Sequence, residues 1–209
     1  MVSSDLGMTG MRPLVHFHFR RPIKLGKEKS KDIEFHLVQC PLGQKRSDHD
    51  SDKIEKEKRI RHGRCNEDLK NFVDKVDAQW SSQPIAPSCL FDELEKVYEF
   101  YGDLPSKISA AFALTSFNLI VLVETPFVVF PLRDIEIVNL ALLRPGIIDM
   151  TVIFQDFEKD NVLQISSIPL KSFASIKDRL NWGQVKYYVN TAELDWMAIV
   201  KRIRDFPEK

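Results

Sequence analysis

The residues with the most chemical potential in this sequence are its histidines, acids and scattered cations. His16 and His18 are two residues apart, which is metal-ligand spacing on a strand. No third or fourth ligand accompanies them, since His36, His49 and His62 sit at unhelpful positions. The pair reads as two half-buried strand histidines, and no metal or other cofactor is expected. Asp149 and Asp156 suggest paired carboxylates, but seven positions apart across an apparent strand they read as turn caps. No serine or cysteine has the flanking residues of an activated nucleophile. The eight glycines are scattered and form no phosphate loop. No catalytic residues are assigned, and the chain is not expected to be an enzyme.

The cations are more suggestive. Lys24, Lys27, Lys29 and Lys31, then Lys45, Arg46, Arg59, Arg61 and Arg64, form a basic stretch. Such a stretch suits nucleic-acid phosphates or an acidic protein surface. It also reads as a solvated loop and helix face, because Glu28, Asp32, Glu55 and Glu57 dilute it. No base-stacking aromatic is interleaved, so sequence-specific DNA reading is not expected. The patch candidates are Lys27, Lys29, Lys31, Arg59, Arg61 and Arg64.

Composition places these residues in an ordinary globular chain of 209 residues, 44% hydrophobic and 29% charged, with a formal net charge of zero. The charge is uneven: cations are in excess over residues 1–80 and acids over the remainder. That asymmetry argues for two units. Three irregularly spaced cysteines, Cys40, Cys65 and Cys89, suggest a reducing compartment rather than a disulfide framework. The N-terminal residues do not read as a signal peptide, and no apolar run has bilayer length.

The elements that must hold these residues fall into two groups. Leu14–Arg20 and Asp32–Val38 alternate in hydrophobicity and read as a hairpin with a basic connection. Residues 41–65 read as a solvated helix or a loop. Asn66 then looks like an N-cap, with Leu69, Phe72, Val73, Val76 and Trp80 on one helix face. A hairpin and one helix make an incomplete unit, as though its opening strands were missing. The serine- and proline-rich stretch at 81–88 reads as a linker.

Leu90–Tyr101 reads as a short helix. From Lys107 onward, six short strands are expected: Ile108–Leu114, Asn118–Val123, Phe127–Phe130, Ile135–Leu142, Met150–Phe154 and Val162–Ser167. Phe127–Phe130 is apolar throughout and is expected to be buried on both faces or packed under a helix. Two helices follow, capped by Ser172 and Asp195, with an extended segment between them around Val185–Val189. A strand meander closed by an amphipathic helix is the layout of a pleckstrin-homology-like barrel. The predicted class is α+β, mainly β: residues 11–80 form a partial first module and residues 90–209 a second one. The uncharged turn T-S-F-N, taken as joining the first two strands of that barrel, argues against phosphoinositide or membrane binding.

A longer series of strings carries a closer resemblance. V-H-F-H-F, E-K-S-K-D-I-E-F, N-F-V-D-K-V, P-F-V-V-F-P-L-R-D-I-E-I-V-N-L, I-D-M-T-V-I-F-Q-D-F, S-S-I-P, V-K-Y-Y and L-D-W-M-A-I-V-K-R-I follow one another from about Pro13 to Pro207. In that order they resemble the middle domain of the large subunit of the FACT histone chaperone, the plant forms most. The resemblance implies tandem pleckstrin-homology-like modules that bind core histones and nucleosomes during transcription, replication and repair. It implies a place in the nucleus on chromosomes, in a complex with an HMG-box small subunit. It also implies a truncated relative, without the domain that docks that subunit. Two departures are internal: a short R-P-G-I-I turn, and Arg179 where the family carries tryptophan, with Trp182 nearby.

Carried over, the family's histone-binding segment falls on Tyr187, Tyr188, Trp196, Met197, Lys201, Arg204 and Asp205. The sequence also admits two other readings: a pleckstrin-homology-like adaptor for a peptide or lipid headgroup, and a remnant lacking chaperone activity.

Overall fold

The computed structural model describes residues 14–37, 51–82, 97–123, 126–156 and 162–206, apart from the side chains of 51–55, 57–59 and 62. The chain divides into two units, Met1–Phe91 and Asp92–Lys209.

In the first unit, β1 (Leu14–Leu25) and β2 (Glu28–His36) pair antiparallel. The strands run further than their hydrophobic alternation suggested, and meet in a two-residue turn at Gly26–Lys27. Gly26 has φ +61, the left-handed conformation such turns need. Between the paired positions His18↔Asp32 and Ile23↔Ser30, four residues of β1 face one of β2, so the ribbon bulges at Phe19–Pro22. The long helix α1 spans Ser51–Ser81. Asn66 therefore lies inside a helix rather than capping one. The stretch before it, rich in Glu, Lys and Arg, is helical because such side chains lose little rotamer freedom there. Leu69 and Val73 are buried against Val15, with Phe17 and Phe72 at the margin. The Phe17, Phe35 and Phe72 rings lie 5.0–6.3 Å apart. Trp80, expected on this face, is exposed.

Of the helix expected at Leu90–Tyr101, residues 90–96 lie outside the described residues, and the described end of it is strand. β3 (Tyr98–Asp103) alternates Phe100 and Gly102 inward against Glu99 and Tyr101 outward, a period of two. β4 (Ser109–Leu114), β5 (Asn118–Leu122) and β6 (Val128–Pro131) continue the meander. β7 (Ile135–Arg144), β8 (Ile147–Phe154) and β9 (Val162–Pro169) form a second antiparallel set. The R-P-G-I-I turn reduces to Pro145 and Gly146, whose φ of +79 fits the third position of a type II turn. β6 is an edge strand with Val128 half exposed, which corrects the expectation of burial on both faces.

The two strand sets join through one register pair between β3 and β9, Asp103↔Ser166. A Cβ at Gly102 would stand 2.5 Å from Ile165 Cγ2 and 3.0 Å from the Ser166 carbonyl oxygen. The glycine is what lets the strands approach here. Across the interior lie Phe100, Phe112, Leu114, Leu140, Ile148, Met150, Ile165 and Ile168, each at most 2% exposed. Helix α2 (Phe173–Trp182) adds Ile176 and Leu180 to that cluster and fills the barrel. Its N-cap position, Ser172, makes no side-chain capping bond; a 3-10 turn at Leu170–Ser172 leads into it instead. After α2, β10 (Tyr187–Asn190) adds parallel to β7, giving the order β10-β7-β8-β9-β3-β4-β5-β6.

The last helix, α3 (Trp196–Asp205), starts as expected at Asp195, whose carboxylate accepts a hydrogen bond from the Ala198 N–H at 3.0 Å. Of α3 only Val200 is buried, and it lies outside the interior cluster. The helix that plugs the barrel is therefore α2. The fold is α+β, mainly β, and a four-plus-three strand meander closed by a helix is pleckstrin-homology-like.

Candidate functional site

The seven residues carried over to the C-terminal segment are distributed by strand and helix geometry. On β10, alternation sends Tyr187 and Val189 to the interior and Tyr188 outward, 55% exposed. The Tyr187 ring lies beneath Lys177 Nζ at 5.9 Å, which also covers Phe173 at 5.1 Å. Tyr187 is thus a packing residue at the α2–β10 junction. On α3, Met197, Lys201 and Asp205 are exposed, while Trp196 and Arg204 are half-buried. Arg204 Nε lies 3.3 Å from Asp205 Oδ1.

Two further apolar side chains of this segment are exposed. Ile203 has the spacing of a packed position yet is 48% exposed, and Phe206, at the C-cap of α3, is 75% exposed. The apolar arc of α3 is wider than the part the fold covers. Two buried polar atoms, Trp196 Nε1 and Asn190 Oδ1, have no hydrogen-bond partner among the described residues. Exposed apolar side chains beside cations are what a protein partner's surface can pair with.

The hairpin holds the other candidates. Lys27 is in the turn, and Lys29 and Lys31 are exposed on β2. Arg61 is half-buried and Arg64 exposed on α1; the Arg59 side chain lies outside the described residues, as do Lys45 and Arg46. Arg20 and Arg21 belong with the hairpin cations but were missed, because the first strand was expected to end at Arg20. Their adjacency to Lys24 across Pro22 was the available signal.

His16 and His18 do share a partner, and it is not a metal. His16 Nε2 and His18 Nδ1 both approach Asp32 Oδ1, at 2.9 and 2.8 Å. Burial pushes the Asp32 carboxyl up, but hydrogen bonds from His18 and His16, with their charge, outweigh it and hold it below its ordinary value. No group of three or more His, Cys, Asp or Glu among the described residues is placed to hold a metal ion. Asp149 supports structure: its Oδ1 accepts from the Ser167 N–H at 2.9 Å, where Ser167 has φ +59. Because β3 precedes β4, the turn joining the first two described strands of the second unit is Leu104–Ile108, not T-S-F-N. It carries one cation, Lys107.

Comparison with known proteins places these features. Residues 6–76 match the model of the FACT complex subunit SPT16 PH-like domain, and residues 108–189 that of the histone chaperone Rttp106-like middle domain. The FACT complex subunit SPT16 of Zea mays is 42% identical over 95% of this chain and 20% of its own length. Over this span the chain is similar to the FACT SPT16 family. The SPT16 protein of Saccharomyces cerevisiae is 30% identical over 93% of this chain and 20% of its own length. Plant SPT16 is thus nearer than the yeast protein, and the chain spans about a fifth of these relatives' length. The solved Spt16D–Pob3N heterodimer gives a TM-score of 0.39 at 13% identity, covering 47% of this chain and 57% of that one, a likeness too slight to bear on function.

Proposed function

We propose that this chain is a histone-binding chromatin module of the SPT16 type. In this reading it covers histone surface while nucleosomes are taken apart and rebuilt during transcription, replication and repair. The observation that carries it is the match of residues 108–189, most of the second barrel, to a histone chaperone middle domain. Charge supports it: acids outnumber cations beyond residue 80, which favours the approach of basic histones. The surface proposed for contact is Tyr188 on β10 with Trp196, Met197, Lys201, Ile203, Arg204 and Phe206 on and after α3. Tyr187, turned inward, supports that surface without forming it. The partners proposed are core histones and, within a FACT complex, its HMG-box small subunit; the location proposed is the nucleus, on chromosomes. The tandem-module division at residues 11–80 and 90–209 belongs to the same proposal.

Immobilised core histones, washed at ~0.15 M salt, test it. Charges more than about 8 Å apart are already screened there, so retention reports close contact. Retention of the chain is expected. Release at that salt, with retention only at low ionic strength, would reduce the reading to nonspecific attraction.

A further inference from the structure

The β1–β2 ribbon does two different things along its length. Near its base, Val15, Phe17, Ile33 and Phe35 share the face that α1 covers. Beyond Phe19 on β1 and Ile33 on β2 the apolar alternation gives way to cations. On that same face the register continues as Lys31, Lys29 and Lys24, with Lys24 directly opposite Lys29. The bulge adds Arg20 and Arg21, and the turn adds Lys27. Residues 20–31 hold six cations and one carboxylate, a net charge of +5. All six cations are exposed, and none has an ion-pair partner among the described residues. Asp32, the next acid, is engaged by His16 and His18 and does not offset them.

Like charges placed opposite each other on paired strands destabilise the ribbon that carries them. The arrangement is relieved by an external polyanion with closely spaced charges. We propose that the distal hairpin, residues 20–31, is a binding element for the phosphate backbone of duplex DNA, independent of base sequence. Three features favour duplex DNA. A two-stranded ribbon is of a size that the DNA major groove, about 12 Å wide, admits. No aromatic residue lies in residues 20–31, so the distal hairpin itself carries no stacking platform of the kind single strands require. No Asn or Gln is present there to read adenine edges, and four of the six cations are Lys, point charges suited to phosphate oxygens. Duplex DNA presents one charge per ~1.7 Å of axis, a density that matches a ribbon carrying cations on its face, its bulge and its tip. This site lies in the first unit and is independent of the histone surface proposed for the second.

The test is fluorescence anisotropy of a mixed-sequence DNA duplex titrated with the whole chain, in a salt series and with no histone present. The parent is compared with a Lys24→Gln/Lys29→Gln/Lys31→Gln variant. If all six cations meet phosphate, log K against log salt should fall with a slope of about −5, and the variant should lose about 2.7 of it, at ~0.9 per contact. The three side chains are exposed, so the variant should fold as the parent does; an unchanged circular dichroism melt checks that. Arg20→Gln/Arg21→Gln gives a second, independent reduction of the slope. The proposal is overturned if the duplex does not bind at ~50 mM salt, or if both variants keep the parental slope. It is equally overturned if a polyglutamate peptide binds more tightly than the duplex.

Discussion

Gly102→Ala is a sharp test of how the second unit is closed. The strand sets β3–β6 and β7–β9 meet at β3 and β9, through the pair Asp103↔Ser166. The Ser166 hydroxyl also donates to the Asp103 carbonyl at 3.3 Å. A methyl at Gly102 would stand 2.5 Å from Ile165 Cγ2 and 3.1 Å from Ile168 Cγ1, two side chains that are themselves at most 1% exposed. Neither can swing toward solvent, and the carbonyl at 3.0 Å is backbone. The added carbon must therefore part the strands or force buried side chains off their rotamers, which costs about 1–3 kcal/mol. For a unit of this size, roughly 4 °C of Tm is lost per kcal/mol, so a drop of about 4–12 °C is expected. Thermal melts of the parent and variant chains, followed by near-ultraviolet circular dichroism, supply the assay. A Tm within about 1 °C of the parent would refute the close approach of β3 to β9.

Two further outcomes follow from the packing and the titration. Leu180→Ala, which removes a side chain 1% exposed within the barrel, should cost about 2–5 kcal/mol, whereas Phe206→Ala, at 75% exposed, should leave the melt within about 0.5 kcal/mol; equal effects would contradict α2 as the helix that fills the barrel. The Asp32 carboxyl, held below its ordinary value, contributes stability that is present above the usual carboxylate range and lost as pH falls through its lowered value. Carboxyl-carbon NMR should show Asp32 titrating below 3.8, and a midpoint at or above 3.8 would contradict the shared hydrogen bonds.

Strand periodicity was plain from Ser109 to Pro169 because short apolar runs there are separated by tight turns. β3 was hidden by its composition: Tyr98, Glu99, Phe100 and Tyr101 suit helix or strand, and only pairing with β4 decides between them. Asn66 resembled a cap because the sequence before it lacks an apolar stripe; a helix carrying charge all round does not need one to continue. The roles of α2 and α3 were the hardest to separate. Both have apolar faces, and periodicity reports that a face exists without saying what covers it. The same limit explains Ile203, which has core-like spacing and is exposed. On β10, alternation together with parallel pairing to β7 tells Tyr187 from Tyr188, and that pairing depends on a crossover the local sequence does not encode. The Asp32 link to two histidines was legible only once β1 and β2 were in register.

The central claim is that the exposed surface of β10 and α3 binds histones. Its most direct test is the affinity of core histones for the parent chain and for a Tyr188→Ala/Met197→Ala/Phe206→Ala variant at ~0.15 M salt. All three side chains are exposed, so the fold should survive their removal. The account predicts measurable binding by the parent and a loss of tenfold or more in the variant, about 1.4 kcal/mol or greater. Equal affinity of the two proteins, or no binding by the parent, would contradict it.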